Sequence, residues 1–405
     1  MPVVRNRRRA GAVAIAAAGL AVGTLAASTA LATAPSISTV ALVAPAAAAT
    51  KPAAPATAKN PAATKPAATK LAAPKSDAPE SDAPTNPAVR SAIPGIVDPA
   101  ADLGRHPAGP EPTWFDSIYF TSAVRAGNQE FGLQVHTRVL PNRPEGAYRW
   151  TLAVINKTTG WYDDYAVVVE PKDYRWSQGE LDIKAPGLSW TGSATHQTVR
   201  VDTPWGSLDA QLTPTGPALN YASTGYFTLV DGVPNHEYAL PQVRTTGTLT
   251  VNGRRHAIKG TSWLDRQWGE MPRTLERWTW MNLSMPGGDK IAVWDTVGAR
   301  TKHTWATVLH KDGSYRVVGV EPLADGVSRT WTSPATGQKY PTRWRLRIPA
   351  LHTQLDVRIT GNPDQEIATP DGGGYLEAAA TFTGRYEGRR VRGENYVEMT
   401  GEWKD

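Results

Sequence analysis

From Trp114 onward, apolar and polar residues alternate in short runs punctuated by Gly, Pro, Asn and Asp. That period of two, rich in Val, Thr, Tyr and Trp, predicts β-strands joined by tight turns. YRWTLAVINKTTGWYDDYAVVVEP and HTWATVLHKDGSYRVVGVEPL each predict a hairpin. They align with one another: Trp150 with Trp305, Lys157 with Lys311, and Glu170-Pro171 with Glu321-Pro322. Two further stretches match in the same order. VRVDTPWGSLDAQLTPTGP (199–217) parallels LRIPALHTQLDVRITGNP (346–363), and GRRHAIKGTSWLD (253–265) parallels GRRVRGENYVE (388–398). Three ordered matches predict two copies of one β-rich unit, 110–271 and 272–405.

The chain before these units has a different pattern. Residues 1–34 carry a basic start (Arg5, Arg7, Arg8, Arg9), a long apolar stretch and then small residues, which predicts a secretory signal. Ala30-Leu31-Ala32 and Ala47-Ala48-Ala49 both suit cleavage, the adjacent arginines permit the twin-arginine route, and an uncleaved anchor is the competing reading. Residues 35–109 are dominated by Ala, Pro, Thr and Lys. Such a composition buries too little apolar surface to offset ordering entropy, so a disordered tether is expected. The protein is therefore expected outside the cytoplasm, with membrane or cell-wall association through the N-terminal segment left open.

Charge changes the picture only by its location. The formal net charge is +6, but residues 1–90 hold ten of the 43 Lys and Arg and three of the 37 Asp and Glu. The remainder has 33 basic against 34 acidic residues, which leaves no basic footprint for nucleic acid. The absence of cysteine excludes disulfides, thiol nucleophiles and thiolate metal sites. The eight histidines show no paired-ligand spacing, so neither a metal nor a cofactor is expected.

Within GTSWLDRQWGEMP (260–272), Trp263 and Asp265 are two apart and share one face of the predicted strand. The second copy keeps the spacing: Gly260, Trp263 and Asp265 stand against Gly393, Tyr396 and Glu398. A carboxylate beside an aromatic at each closing strand fits inherited architecture, an acid accepting hydrogen bonds, or a catalytic acid. His236 and Tyr238 in NHEYALP are likewise two apart and share a face.

KGTSWLDRQWG, RWTWMNL, PTRWRLRIP and GENYVEMTG resemble the carotenoid 1,2-hydratase and AttH-like secreted proteins with tandem lipocalin-like domains. TWFDSIYFTSAVRAGNQEFGLQVH resembles the aromatic hairpin that opens their first domain, and the resemblance runs in order through 110–405. It implies an all-β fold of two tandem lipocalin-like barrels or sandwiches. In the hydratase branch it also implies a site of a His-x-aromatic and an aromatic-x-Asp pair, here His236 and Tyr238 with Trp263 and Asp265. The chain departs from the family at Arg266, where a histidine is common, and in the order of its two aromatics, Tyr238 and Trp263. These departures leave the exact reaction open.

Hydrating an alkene needs a proton delivered to carbon and a stabilised cation. A carboxyl group in an apolar pocket keeps its proton because desolvation penalises the charged form, and aromatic faces attract cations. The expected assignment is Asp265 as acid, His236 orienting it or water, and Tyr238, Trp263, Tyr396 and Glu398 around an apolar small-molecule substrate. A cyclase could use the same groups, and a non-enzymatic lipid or isoprenoid carrier needs a similar pocket. A hydrolase finds no support, for the chain has neither G-x-S-x-G nor S-x-x-K.

Overall fold

The computed structural model describes residues 97–143, 148–369 and 373–403. The signal-like segment and most of the tether lie outside these residues. Among the described residues there is no α-helix, and no helix is long and apolar enough to cross a membrane.

Alternation along the chain becomes two antiparallel sheets. In the first, β1 (Trp114–Ala126), β2 (Gln129–Val139), β3 (Tyr148–Asn156) and β4 (Trp161–Val169) form a meander. Shorter strands follow: β5 (Arg175–Trp176), β6 (Leu181–Ala185), β7 (Leu188–Gly192), β8 (Gln197–Thr203) and β9 (Gly206–Pro214). After brief β10 (Leu219–Asn220) and β11 (Tyr226–Thr228), the long β12 (Pro234–Val251) and β13 (Arg254–Glu270) return, with β13 hydrogen-bonded between β1 and β12.

The second sheet begins with β14 (Leu275–Ser284), β15 (Lys290–Gly298), β16 (Lys302–Leu309) and β17 (Tyr315–Gly319). It continues through β18 (Val327–Thr332), β19 (Lys339–Ile348), β20 (Thr353–Ile359) and β21 (Glu366–Ala368) to β22 (Gly374–Tyr386) and β23 (Arg389–Gly401). Strand β23 lies between β14 and β22, as β13 lies between β1 and β12. The architecture is all-β, two curled sheets of lipocalin-like character.

Each sheet curls around its own core. Phe120, Trp150, Trp190 and Leu264 pack inside the first, and Trp344, Leu355, Phe382 and Val397 inside the second. Residues of the opposite parity form a third cluster, which includes Tyr119, Trp263, Trp280, Trp294 and Tyr396. On β1, Ile118 and Phe120 enter the first core while Tyr119 between them enters the third. The third cluster joins the two sheets, and hydrogen bonds cross it. Asn282 Nδ2 donates to Thr121 Oγ1 at 3.0 Å, and the Ala222 amide donates to Thr307 Oγ1 at 2.9 Å.

One expectation is corrected here. The tether was expected to run to residue 109, but the chain packs from Val97 onward. Val97 and Leu103 are buried in the first core, and the Gly104 carbonyl accepts from Arg266 at 2.7 Å. Two well-placed apolar residues and one buried guanidinium suffice to order a stretch whose overall composition reads as linker.

Candidate active site between the sheets

The register decides which side chains meet. Tyr119 pairs with Asp265 and with His136, Ala239 pairs with Asp265, and Glu237 lies two residues before Ala239. Tyr119, His136, Arg138, Glu237, Trp263 and Asp265 therefore share one face of the first sheet. On the second sheet Trp280 pairs with Trp294 and Glu398, and Glu398 pairs with Glu377. These faces enclose a cavity of about 50 Å³, lined by Tyr119, His136, Arg138, Glu237, Asp265, Trp278, Trp280, Trp294 and Glu398 among others.

A wider depression of about 1070 Å³ lies elsewhere on the second sheet. It is rimmed by charged groups such as Arg347, Asp356, Arg385 and Arg392 and lacks the aromatic walls. The small cavity is the better candidate because titratable groups and apolar walls converge there.

Asp265 sits at its centre, 5% exposed. Trp263 Nε1 and Tyr221 Oη both donate to Asp265 Oδ1 at 2.9 Å, while Trp280 Nε1 donates to Tyr221 Oη at 2.8 Å. Asp265 Oδ2 has no hydrogen-bond partner among the described residues. The donors thus fix the protonation site: Oδ1 is occupied as an acceptor, so the proton resides on Oδ2. Burial raises this carboxyl to about 8; its two hydrogen bonds pull it down and the Glu398 charge pushes it up.

Three further acids share the interface. Burial raises Glu398 to about 7 although Arg138 and the Trp278 indole pull it down. Burial, then the charges of Asp265 and Glu398, raises Glu237 well above the carboxylate range; Trp294 Nε1 donates to its Oε2 at 3.2 Å. Burial and Glu398 raise Glu377 likewise, and Tyr119 Oη donates to its Oε2 at 2.9 Å. Four carboxyl groups in one aromatic layer cannot all ionise, so Asp265, Glu237 and Glu377 hold protons at neutral pH, while Glu398, raised only to about 7, is divided between its acid and its carboxylate. His136 faces the same space as neutral imidazole, because burial, then Arg138 and Arg149, lowers it to about 3.

Of the expected site residues, Trp263 and Asp265 meet, and Glu398 lines the same cavity from the other sheet. Tyr396 is close by, its Oη donating to the Glu377 carbonyl at 3.3 Å. His236 and Tyr238 do not join them. Their parity turns them to the other face of the first sheet, where His236 stacks on Trp268 at 5.3 Å and Tyr238 lies in the first core. The residue between them, Glu237, is the one that reaches Asp265's side. Arg266 also points away from the cavity, fully buried and ion-paired with Asp116.

The sequence reading missed His136, Glu237, Glu377 and the Trp280–Tyr221 relay. For Glu237 the signal was present: an acid just ahead of the apolar Tyr238, Ala239 and Leu240, at the parity opposite to His236. Nothing local marks Tyr221, which lies in a turn and meets Asp265 across 44 residues of chain.

With this geometry in place, comparison adds the following. Residues 100–402 match the sequence family described as AttH-like. An AttH protein of Nitrosomonas europaea has the same fold with a TM-score of 0.63 and 20% identity, over 78% of this chain and 100% of its own. Kievitone hydratase from Nectria haematococca gives 0.61 and 21% identity, over 75% and 97%. CghA, solved with Sch210972, gives 0.51 and 14% identity, over 78% and 97%. At these identities the likeness is one of fold. No curated protein matches the chain in sequence.

Proposed function

The chain belongs to the AttH-like family, and from that premise we propose that it is an exported hydratase-type enzyme acting on an apolar unsaturated substrate. One observation carries the reading: a carboxyl group raised to about 8, its Oδ1 doubly hydrogen-bonded and its Oδ2 unpartnered, on an aromatic-walled cavity. The fold shared with kievitone hydratase supports it.

In this reading Asp265 Oδ2 transfers its proton to one alkene carbon, the π-electrons forming the new C–H bond. Positive charge develops on the neighbouring carbon beside the faces of Trp278, Trp280 and Trp294, which line the cavity and attract cations. The newly charged Asp265 is held by the Trp263 and Tyr221 donors, which favour the carboxylate. Water then adds, and its proton passes to Glu398, the cavity acid that ionises most readily. Proton return from Glu398 to Asp265 through water restores the site. The step consumes an alkene and water alone. A cavity of about 50 Å³ is far below the roughly 300–1,000 Å³ of a pocket that encloses a whole small molecule. Only the reacting end of a substrate therefore enters it.

The test compares apolar extracts of the native host carrying the wild type or Asp265→Asn, by untargeted mass spectrometry at matched protein levels. Loss of a product, with accumulation of a compound one water lighter, is the expected result. Turnover of the purified variant on that compound should drop about 10²–10⁴-fold, the usual contribution of a general acid. An isobaric exchange would point to cyclisation. A ligand bound and released unchanged, with both proteins folded, would favour a carrier.

A further inference from the structure

Beside the acid cavity, the first sheet places two arginines directly opposite each other, Arg138 on β2 and Arg149 on β3. Arg138 lines the acid cavity with Glu398. Arg149 lines a second cavity, of about 240 Å³, with Val167, Val168, Ile367 and Tyr375. The pair therefore stands at the junction of the two spaces. Like charges directly opposite across strands destabilise a sheet. Glu398 and Tyr375 offset part of the repulsion at Arg138, yet both Nε atoms are buried and lack a hydrogen-bond partner among the described residues. Burial, and next the charge of Arg149, lowers Arg138 to about 10, so the guanidinium stays cationic at neutral pH. Beside the pair, Thr151 Oγ1 and Tyr375 Oη lie 3.4 Å apart, two hydroxyls able to donate.

Two guanidinium groups with unpartnered Nε atoms, beside two hydroxyls, match a carboxylate, which accepts paired N–H donors in a plane. A dianion is disfavoured by the acids facing the same layer. We propose that Arg138 and Arg149 bind the carboxylate end of the substrate, with its unsaturated end at Asp265. The proposal deepens the hydratase reading and rests on it for the identity of the reacting end.

The sheet also sets the length of such a molecule. Strands β2 and β3 lie two and three places from β13, and strands are spaced by about 4.8 Å. The backbones of Arg138 and Arg149 thus stand about 10–15 Å from that of Asp265, an upper bound on the distance from the carboxylate to the reacting double bond. The second cavity, walled by Val167, Val168 and Ile367, takes the apolar bulk that the small cavity cannot hold. The substrate class is a linear, apolar, unsaturated carboxylate.

Farnesoate and its neutral methyl ester serve as probes, with binding followed by the tryptophan fluorescence of the full chain. The wild type should bind farnesoate about tenfold or more tightly than the ester, the scale of a charge-assisted hydrogen-bonded contact. Arg138→Gln and Arg149→Gln should each reduce that preference to within about twofold, the loss falling mainly on farnesoate. Asp265→Asn should keep the preference, so the subsite and the acid fail separately: loss of preference sinks only the former, an active Asp265→Asn only the latter. Thermal melting supplies a second readout. Without ligand, Arg149→Gln should melt no lower than wild type, because it removes a repulsion. Farnesoate should raise the melting temperature of wild type and of Asp265→Asn more than that of either arginine variant. Equal affinity for both probes, binding of neither, or an Arg149→Gln variant that melts lower would each overturn the proposal.

Discussion

Asp265 owes its proton to burial, and its catalytic direction to three donors. Trp263 and Tyr221 occupy Oδ1 and leave Oδ2 to the cavity, while Trp280 holds the Tyr221 hydroxyl with its hydrogen aimed at the acid. Because a hydrogen bond to the charged form lowers a carboxyl pKa, Tyr221→Phe should raise that of Asp265 further. In a pH–rate profile, activity needs the protonated acid and falls as pH rises through about 8. The Tyr221→Phe profile should keep its activity to higher pH; an unmoved alkaline limb would mean that another group sets it. Stability follows the same sign. The folded carboxyl holds its proton to about 8 and the unfolded one only to its ordinary 3.8, so across that window the native state binds more protons. The contribution is fully present below the lower value and is lost as pH rises to the upper one. Relative to Asp265→Asn, the wild type should therefore lose melting temperature between pH 5 and pH 8, and parallel curves would count against a buried, protonated Asp265.

At the scale of the strand, parity is the main organiser. Trp263 with Asp265, and Tyr396 with Glu398, were legible as same-face pairs because a strand repeats every two residues. The same rule placed His236 with Tyr238, correctly as a pair, yet it could not say which face of β12 looks toward β13's acid. That depends on pairing, and Ala239 opposite Asp265 puts Glu237 on the acid's side and His236 on the other. His236→Ala should thus leave the pH–rate profile and catalytic rate near wild type, whereas Glu237→Gln should alter both. A rate loss of more than about tenfold in His236→Ala would restore that histidine to the chemistry. The matched glycines have a packing reason. A methyl at Gly260 would stand 2.1 Å from the Ala123 carbonyl oxygen, and one at Gly393 would stand 2.4 Å from Phe382 Cζ. Gly260→Ala must push backbone against backbone between β13 and β1, and overpacking of that kind costs about 1–3 kcal/mol. Denaturant unfolding should show a midpoint lowered accordingly.

In the whole molecule, the outer faces of two sheets become an interior. The layer holding Tyr119, Trp263, Trp280, Trp294 and Tyr396 belongs to neither curled core, and the candidate site is built from both sides of it. A chain ending at Met271 retains Asp265, Trp263 and Tyr221 but loses Trp280, Trp294 and Glu398. It should expose an apolar face, bind a hydrophobic dye and show no turnover. Turnover by that half alone would place the site inside one sheet.

Alternation and turn chemistry were sufficient to specify strands, the all-β class and the two ordered sets of matching segments, because side-chain period and turn residues are local properties. Spacing also singled out Asp265 and Glu398 as acids beside aromatics. Their meeting in one cavity was decided by the packing of one sheet's face on the other, a contact that strand periodicity does not encode. The same holds for Tyr221 and His136, brought to the cavity by a turn and a neighbouring strand. The raised carboxyl pKa values belong to that level too. A carboxyl group keeps its proton only where water is excluded from it, and here the exclusion comes from the residues of the opposite sheet.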